Sequence, residues 1–133
     1  MKSLNQLRDE CYKNSKDHGF HDPPGKSVGD DVALMHSELS ELLEDFRNGR
    51  KPNEAYYVRK VQVFHDDMPY KIEVPCEKDH PDAKPCGIPS EIADVIIRAF
   101  DFCGKHNIDI ERAVEEKMAF NRSRPYRHGN KAL

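Results

Sequence analysis

Two pairs of carboxylates with the same spacing stand out in the chain, Glu38 with Glu41 and Glu91 with Asp94. Side chains three residues apart are neighbours on a helix surface, so each pair becomes a two-pronged oxygen donor if its segment is helical. Facing helices would then gather four carboxylates around one point, and groups that close repel unless a cation lies between them. Mg²⁺ takes an octahedral shell of hard oxygens and favours a few carboxylates together with phosphate oxygens. The set Glu38, Glu41, Glu91 and Asp94 contains neither His nor Cys, which argues for Mg²⁺, with Mn²⁺ the alternative, over zinc. Further along, Lys117, Asn121 and Arg124 would add donors for an anionic ligand. Carboxylates, a divalent metal and cationic donors together describe phosphoryl chemistry. The plainer reading is a solvated acidic face, in which Asp94 and Arg98 make an ordinary i,i+4 ion pair worth a few tenths of a kcal/mol.

The elements that must position these groups read as helices. Ser90 to Arg98 opens a helix that runs from about Pro89 to His106, with Pro89 suited to its first turn. At about 100° per residue, Val95, Ala99, Ile92, Cys103, Ile96, Phe100 and Ile97 cover most of its circumference. Only Glu91, Asp94, Arg98 and Asp101 form a polar wedge, so this is a core helix whose wedge faces solvent or an internal polar site. A helix from about Ser27 to Arg47 carries the stripe Val32, Met35, Leu39, Leu42, Leu43 and Phe46, with Glu38 and Glu41 on its border and Asp45 beside them; Asn48-Gly49 ends it.

The flanking segments complete four helices. The first spans about Ser3 to His18, capped by Ser3 and stopped at Gly19, with a thin stripe of Leu4, Leu7 and Cys11. The last starts at the cap Asp109 and runs to about Arg122; its inward stripe begins with Ile110, Ala113 and Val114 and continues with Lys117, Asn121 and Arg124. An inward face that turns polar halfway is entering a polar site or leaving the core. Between the second and third helices, residues 50–86 do not read as helix. Val61-Gln62-Val63 and Tyr70-Lys71-Ile72-Glu73-Val74 alternate around a turn at His65 to Pro69, the signal of a hairpin at about 57–75, and Pro75 to Gly87 reads as loop. The expected fold is therefore all-α, a single domain of four bundled helices over 1–133 with an inserted hairpin, closed by a basic tail from 124 to 133.

Composition sets the class. At 133 residues, with 37% hydrophobic and 34% charged side chains, the chain is long enough for a core and too apolar for a disordered segment. A net charge of −3 gives no basic face for nucleic acid, and no apolar run approaches the ~20 residues of a membrane span. Met1 to Asn5 holds no apolar signal core, so a cytoplasmic protein is expected, with Cys11, Cys76, Cys86 and Cys103 as free thiols. Cys76 and Cys86 flank His80, but their spacing lacks the paired-ligand signature of zinc. A third helix apolar nearly all round and a hairpin marginal on its own leave more apolar surface than one subunit covers, which predicts a homodimer or homotetramer.

The order Glu38-Leu39-Ser40-Glu41, then Glu91-Ile92-Ala93-Asp94, resembles the ExxE…ExxD signature of the MazG-like nucleotide pyrophosphohydrolases, of the all-α NTP pyrophosphatase group. Gly87 to Arg98 looks like that family's third helix, and Glu116 to Gly129 like its last helix and following tail; the resemblance covers about 1–49 and 87–131. It implies hydrolysis of a nucleoside triphosphate between the α and β phosphates, giving a monophosphate and pyrophosphate. Glu38, Glu41, Glu91 and Asp94 would bind Mg²⁺, with Glu38 or Glu41 orienting the attacking water; Lys117, Asn121, Arg124 and Tyr126 would contact the substrate. The long segment 50–86 departs from the simplest members, in which that region lies near the base pocket and subunit contacts. A bundle that holds a nucleotide without turnover is the competing reading.

Overall fold

The computed structural model describes residues 1–127. The order of elements is α1 (Leu4–Asp17), α2 (Val28–Arg47), β1 (Tyr56–His65), β2 (Met68–Pro75), β3 (Lys84–Cys86), α3 (Ile88–Lys105) and α4 (Ile110–Ser123). The chain divides into two compact units, one from Val28 to Ile96, the other formed by Met1–Ser27 with the chain from Ile97 onward. The tail beyond Arg127 lies outside the described residues.

The expected all-α bundle with an inserted hairpin is corrected by the sheet. Four helices form among the described residues, but β1 pairs antiparallel on both sides, giving a three-stranded sheet in the order β2-β1-β3 and a mixed α and β fold. The β1–β2 hairpin turns through Asp66 and Asp67, both left-handed at φ 48° and 61°, the backbone that a two-residue hairpin turn requires. The third strand replaces part of the expected loop. Lys84, Pro85 and Cys86 lie opposite Val58, Tyr57 and Tyr56. A three-residue strand with a central proline has no alternation to read, and proline survives there because the strand is an edge.

Helix boundaries follow local chemistry. Ser3 and Gln6 close a capping box at the start of α1. Three helices stop with the same pair of bonds, one from the residue after the helix cap to the carbonyl three back, the next to the carbonyl five back. These are Gly19 and Phe20 after α1, Gly49 and Arg50 after α2, and Asn107 and Ile108 after α3. The first residue of each pair has positive φ, which glycine and asparagine tolerate.

In the unit with both termini, α1 packs on α4, and Asn5 is the joint. Its side chain accepts from Ile110 N–H at 3.1 Å and donates to the cap Asp109 at 2.9 Å, while its own N–H donates to Glu111. Arg8 reaches the Ile108 carbonyl at 2.8 Å. Gly104 lets α1 approach α3, since a Cβ there would lie 2.4 Å from Tyr12 Cβ. His21 holds the loop after α1 to α3 through Asp101 at 2.7 Å, with Ser15 Oγ 3.2 Å from the same ring nitrogen. Because both partners meet one nitrogen, the group is a structural anchor and not a Ser-His-Asp relay. Cys103 is buried, and burial pushes its thiol and that of Cys11 upward, as for inert packed cysteines.

The Val28–Ile96 unit buries Val58, in the middle strand of the sheet, and Ile88, the first residue of α3. The stripe expected to lie inward on α2 is covered only in part: Met35 and Leu42 are half-buried, while Val32, Leu39, Leu43 and Phe46 are exposed. So are Ile92 and Ile96 on the α3 face read as core.

Candidate metal centre

The sheet fixes where the acidic residues meet. β3 runs directly into α3 through Gly87, whose φ of 103° is left-handed. A Cβ at Gly87 would stand 2.4 Å from the Glu54 carbonyl oxygen, so only glycine lets this turn lie against the segment entering β1. Ser90 Oγ donates to the Pro85 carbonyl and Glu91 N–H to the Gly87 carbonyl, which locks the first turn of α3 onto the strand. At the other side, Arg50 N–H donates to the Asp45 carbonyl at the end of α2, and the Arg50 guanidinium lies 3.7 Å above the Tyr56 ring at the start of β1.

Within that frame, Glu38, Glu91 and Asp94 each offer a carboxylate oxygen within 4.8 Å of the others. Glu38 is buried at 7% exposure, Glu91 is half-buried and Asp94 is exposed. The arrangement grades from the protein interior to solvent. Glu41, exposed, stands outside the tight trio but hydrogen-bonds Glu91. Burial, then Glu41, then Asp45 and Asp94 push the Glu91 carboxyl up to about 7. Its Oε2 and the Oδ2 of Asp45 are both buried without a hydrogen-bond partner. Buried carboxylate oxygens without donors are costly, and a proton or a cation would relieve these two.

The four sequence-predicted carboxylates are therefore in one place, three of them at mutual ligand distance. In the sequence, Asp45 stands beside them without a role of its own. It follows Glu41 by four residues and Glu38 by seven, the spacing of one helix face, which was the available signal. Tyr56 joins it, because burial and the Asp45 charge raise its hydroxyl. Nothing in the alternation of β1 marks that residue.

The donor residues expected on α4 belong to the other unit and are not inward. Lys117 and Asn121 are exposed, and Tyr126 is exposed after the helix. Arg124 is half-buried; its guanidinium and the Lys117 ammonium stand 5.7 and 5.5 Å from the Phe120 ring centre. The stripe leaves the core after Val114, the second of the two outcomes that its change to polar residues allowed. In the Cys76–Cys86 segment, His80 Nδ1 accepts from Asp82 N–H at 3.0 Å and so closes a turn. Among the described residues it forms no ligand group with the cysteines.

An all-oxygen set, graded from buried to exposed, with the Glu91 and Asp45 oxygens lacking hydrogen-bond donors, fits a hard divalent cation such as Mg²⁺. No helix among the described residues is long and apolar enough to cross a membrane. No protein family, curated protein or solved structure matches the chain.

Proposed function

We propose that the chain is a Mg²⁺-dependent nucleoside triphosphate pyrophosphohydrolase of the MazG-like kind, cleaving between the α and β phosphates in nucleotide-pool housekeeping. The observation that carries this reading is the meeting of Glu38, Glu91 and Asp94 within 4.8 Å, with Glu41 and Asp45 along the same helix face as Glu38. Glu38, Glu41, Glu91 and Asp94 would hold the metal, which when bound supplies charge neutralisation at the phosphate oxygens and acidifies a water. Glu41 is the solvent-exposed member of the α2 pair, placed to orient that water, while buried Glu38 fixes the inner wall. Glu41 hydrogen-bonds Glu91, which sets a carboxylate beside the metal ligands that could take up the proton of the attacking water. Lys117, Asn121, Arg124 and Tyr126 are assigned to the substrate by the resemblance of α4 and the residues after it. Their exposure leaves them accessible to a ligand.

The same reading includes self-association, as homodimer or homotetramer. On α2, Val32, Leu39, Leu43 and Phe46 repeat at helical spacing and are all exposed, an apolar stripe that water should not face. Cytoplasmic residence is consistent with four unpaired cysteines. The test is direct: a panel of ribo- and deoxynucleoside triphosphates is incubated with the protein and Mg²⁺, and monophosphate and pyrophosphate are measured. Release of both in equal amount is expected for at least one base. Orthophosphate with diphosphate, or no product across the panel, overturns the reading.

A further inference from the structure

Strand β2 is the outer strand on its side of the sheet. Cys76 N–H donates to the Tyr57 carbonyl at 3.0 Å and so points at β1. Alternation along the strand then aims the N–H groups of Val74, Ile72 and Tyr70 at β1 and those of Lys71 and Glu73 outward. Pro69 and Pro75 also fall at outward positions and carry no N–H. Lys71 and Glu73 are thus the outward donors between two prolines. The side chains are sorted as cleanly. Tyr70, Ile72 and Val74 lie opposite Val63, Val61 and Arg59 on one face, and Tyr70 and Ile72 are 49% and 40% exposed. Lys71 and Glu73 lie on the other face, opposite Gln62 and Lys60.

We propose that β2 pairs antiparallel with β2 of a second copy of this chain, in the register that sets Ile72 against its own counterpart. The proposal rests on the self-association above and goes further by naming the edge and the alignment. In this register Lys71 faces Glu73, Tyr70 faces Val74 and Pro69 faces Pro75. Lys71 and Glu73 exchange N–H···O bonds with Glu73 and Lys71 of the other copy, so every outward donor between the prolines is used. Centring on Lys71 or Glu73 sets like charges opposite each other. Centring on Tyr70 or Val74 puts a proline opposite one of the two donors. A shift of one residue in pairing turns the apolar face against the charged one. The sequence Pro-Tyr-Lys-Ile-Glu-Val-Pro is therefore matched to itself about Ile72 alone. Prolines and a lysine on an edge that stays single would act as guards against pairing, and the experiment separates the two roles.

The full chain is studied by sedimentation and by mild oxidation of single-cysteine additions, with the unaltered protein as background for its four native cysteines. In the proposed register the two Ile72 residues form a non-hydrogen-bonded pair with Cα atoms about 4.5 Å apart, within disulfide range. Ile72→Cys should give a covalent dimer on a non-reducing gel. Tyr70→Cys should stay at background, because the two copies of that residue lie about 13 Å apart. Lys71→Glu should weaken association about tenfold by opposing Glu73 on both sides of the axis, while Lys71→Arg leaves it unchanged. Equal crosslinking at both positions, none at Ile72→Cys, or unchanged association in Lys71→Glu overturns the pairing. If the unaltered chain self-associates but Ile72→Cys does not crosslink, the edge fails and the assembly stands; a monomer at micromolar concentration overturns both.

Discussion

The Glu91 carboxyl hydrogen-bonds the Glu41 carboxyl on the neighbouring helix, and burial together with that contact lifts Glu91 to about 7. Its ordinary value is 4.5, so the folded protein holds a proton that the unfolded chain has already released between those values. Stability from this group is present below pH 4.5 and is lost as pH rises through 7, by on the order of 3 kcal/mol at most. Asp17, Asp109 and Glu111 are shifted the opposite way, and their contributions fade only in acid, below the window concerned. The metal-free protein should therefore melt at lower temperature at pH 8 than at pH 5.5. Millimolar Mg²⁺ should remove most of that difference, because a cation replaces the proton. Calorimetry at both pH values, with and without Mg²⁺, checks this; a melting temperature that rises from pH 5.5 to 8 without metal contradicts it.

Glu91→Gln isolates the same group. It keeps the shape and removes the ionisable proton, so the pH dependence above should flatten and the metal-free protein at pH 8 should gain stability. The response to Mg²⁺ should weaken at the same time, and triphosphate hydrolysis should fall by at least a hundredfold, the scale on which lost electrostatic stabilisation acts. Asp94→Ala should also abolish Mg²⁺-dependent turnover with the fold intact, since its side chain is exposed. Titration of Mg²⁺ followed by melting temperature, beside product assays, measures both. Variants that keep full activity would remove the carboxylate site.

Gly87 carries a structural prediction with a functional echo. Gly87→Ala forces a side chain into left-handed backbone and against the Glu54 carbonyl. The combined cost should be roughly 2–4 kcal/mol. Because Gly87 is the turn that leads into the helix carrying Glu91 and Asp94, Mg²⁺ affinity should drop as well. Gly25→Ala is the control, as its Cβ would meet nothing within 4 Å at a similar φ of 74°, and it should cost less and leave Mg²⁺ binding unchanged.

How much of this was legible follows from which forces acted locally. Helix starts and stops were readable because Ser3, Gly19, Gly49 and Asp109 act on the backbone within a few residues. The carboxylate pairs were readable because their spacing is the period of the helix itself. β3 was not, since three residues around Pro85 gain strand geometry only from the partner Tyr56–Val58. Periodicity shows that Val32 and Leu43 share a face, but it cannot show whether anything covers that face, and here both are exposed. The inward assignment of Lys117 failed for the same reason. A stripe that continues in register says nothing about where the neighbouring helix ends.

Lys117 gives the last test, and its exposure sharpens it. Lys117 is exposed on α4, its ammonium 5.5 Å from the Phe120 ring. A contact of that kind at an exposed site is worth about 0.5–1 kcal/mol, so Lys117→Met, which keeps the stem, should shift the melting temperature little. If the ammonium receives a phosphate oxygen, its loss should cost ~1.5–3 kcal/mol in the bound state, or roughly tenfold or more in kcat/KM for the triphosphate. Lys117→Arg should recover part of the loss, because the charge and donors return with altered geometry. A solvated surface lysine predicts no change in either variant. Steady-state kinetics on the three proteins, with melting temperatures recorded alongside, separates the two outcomes: unaltered kcat/KM in Lys117→Met places the phosphate contacts on other residues.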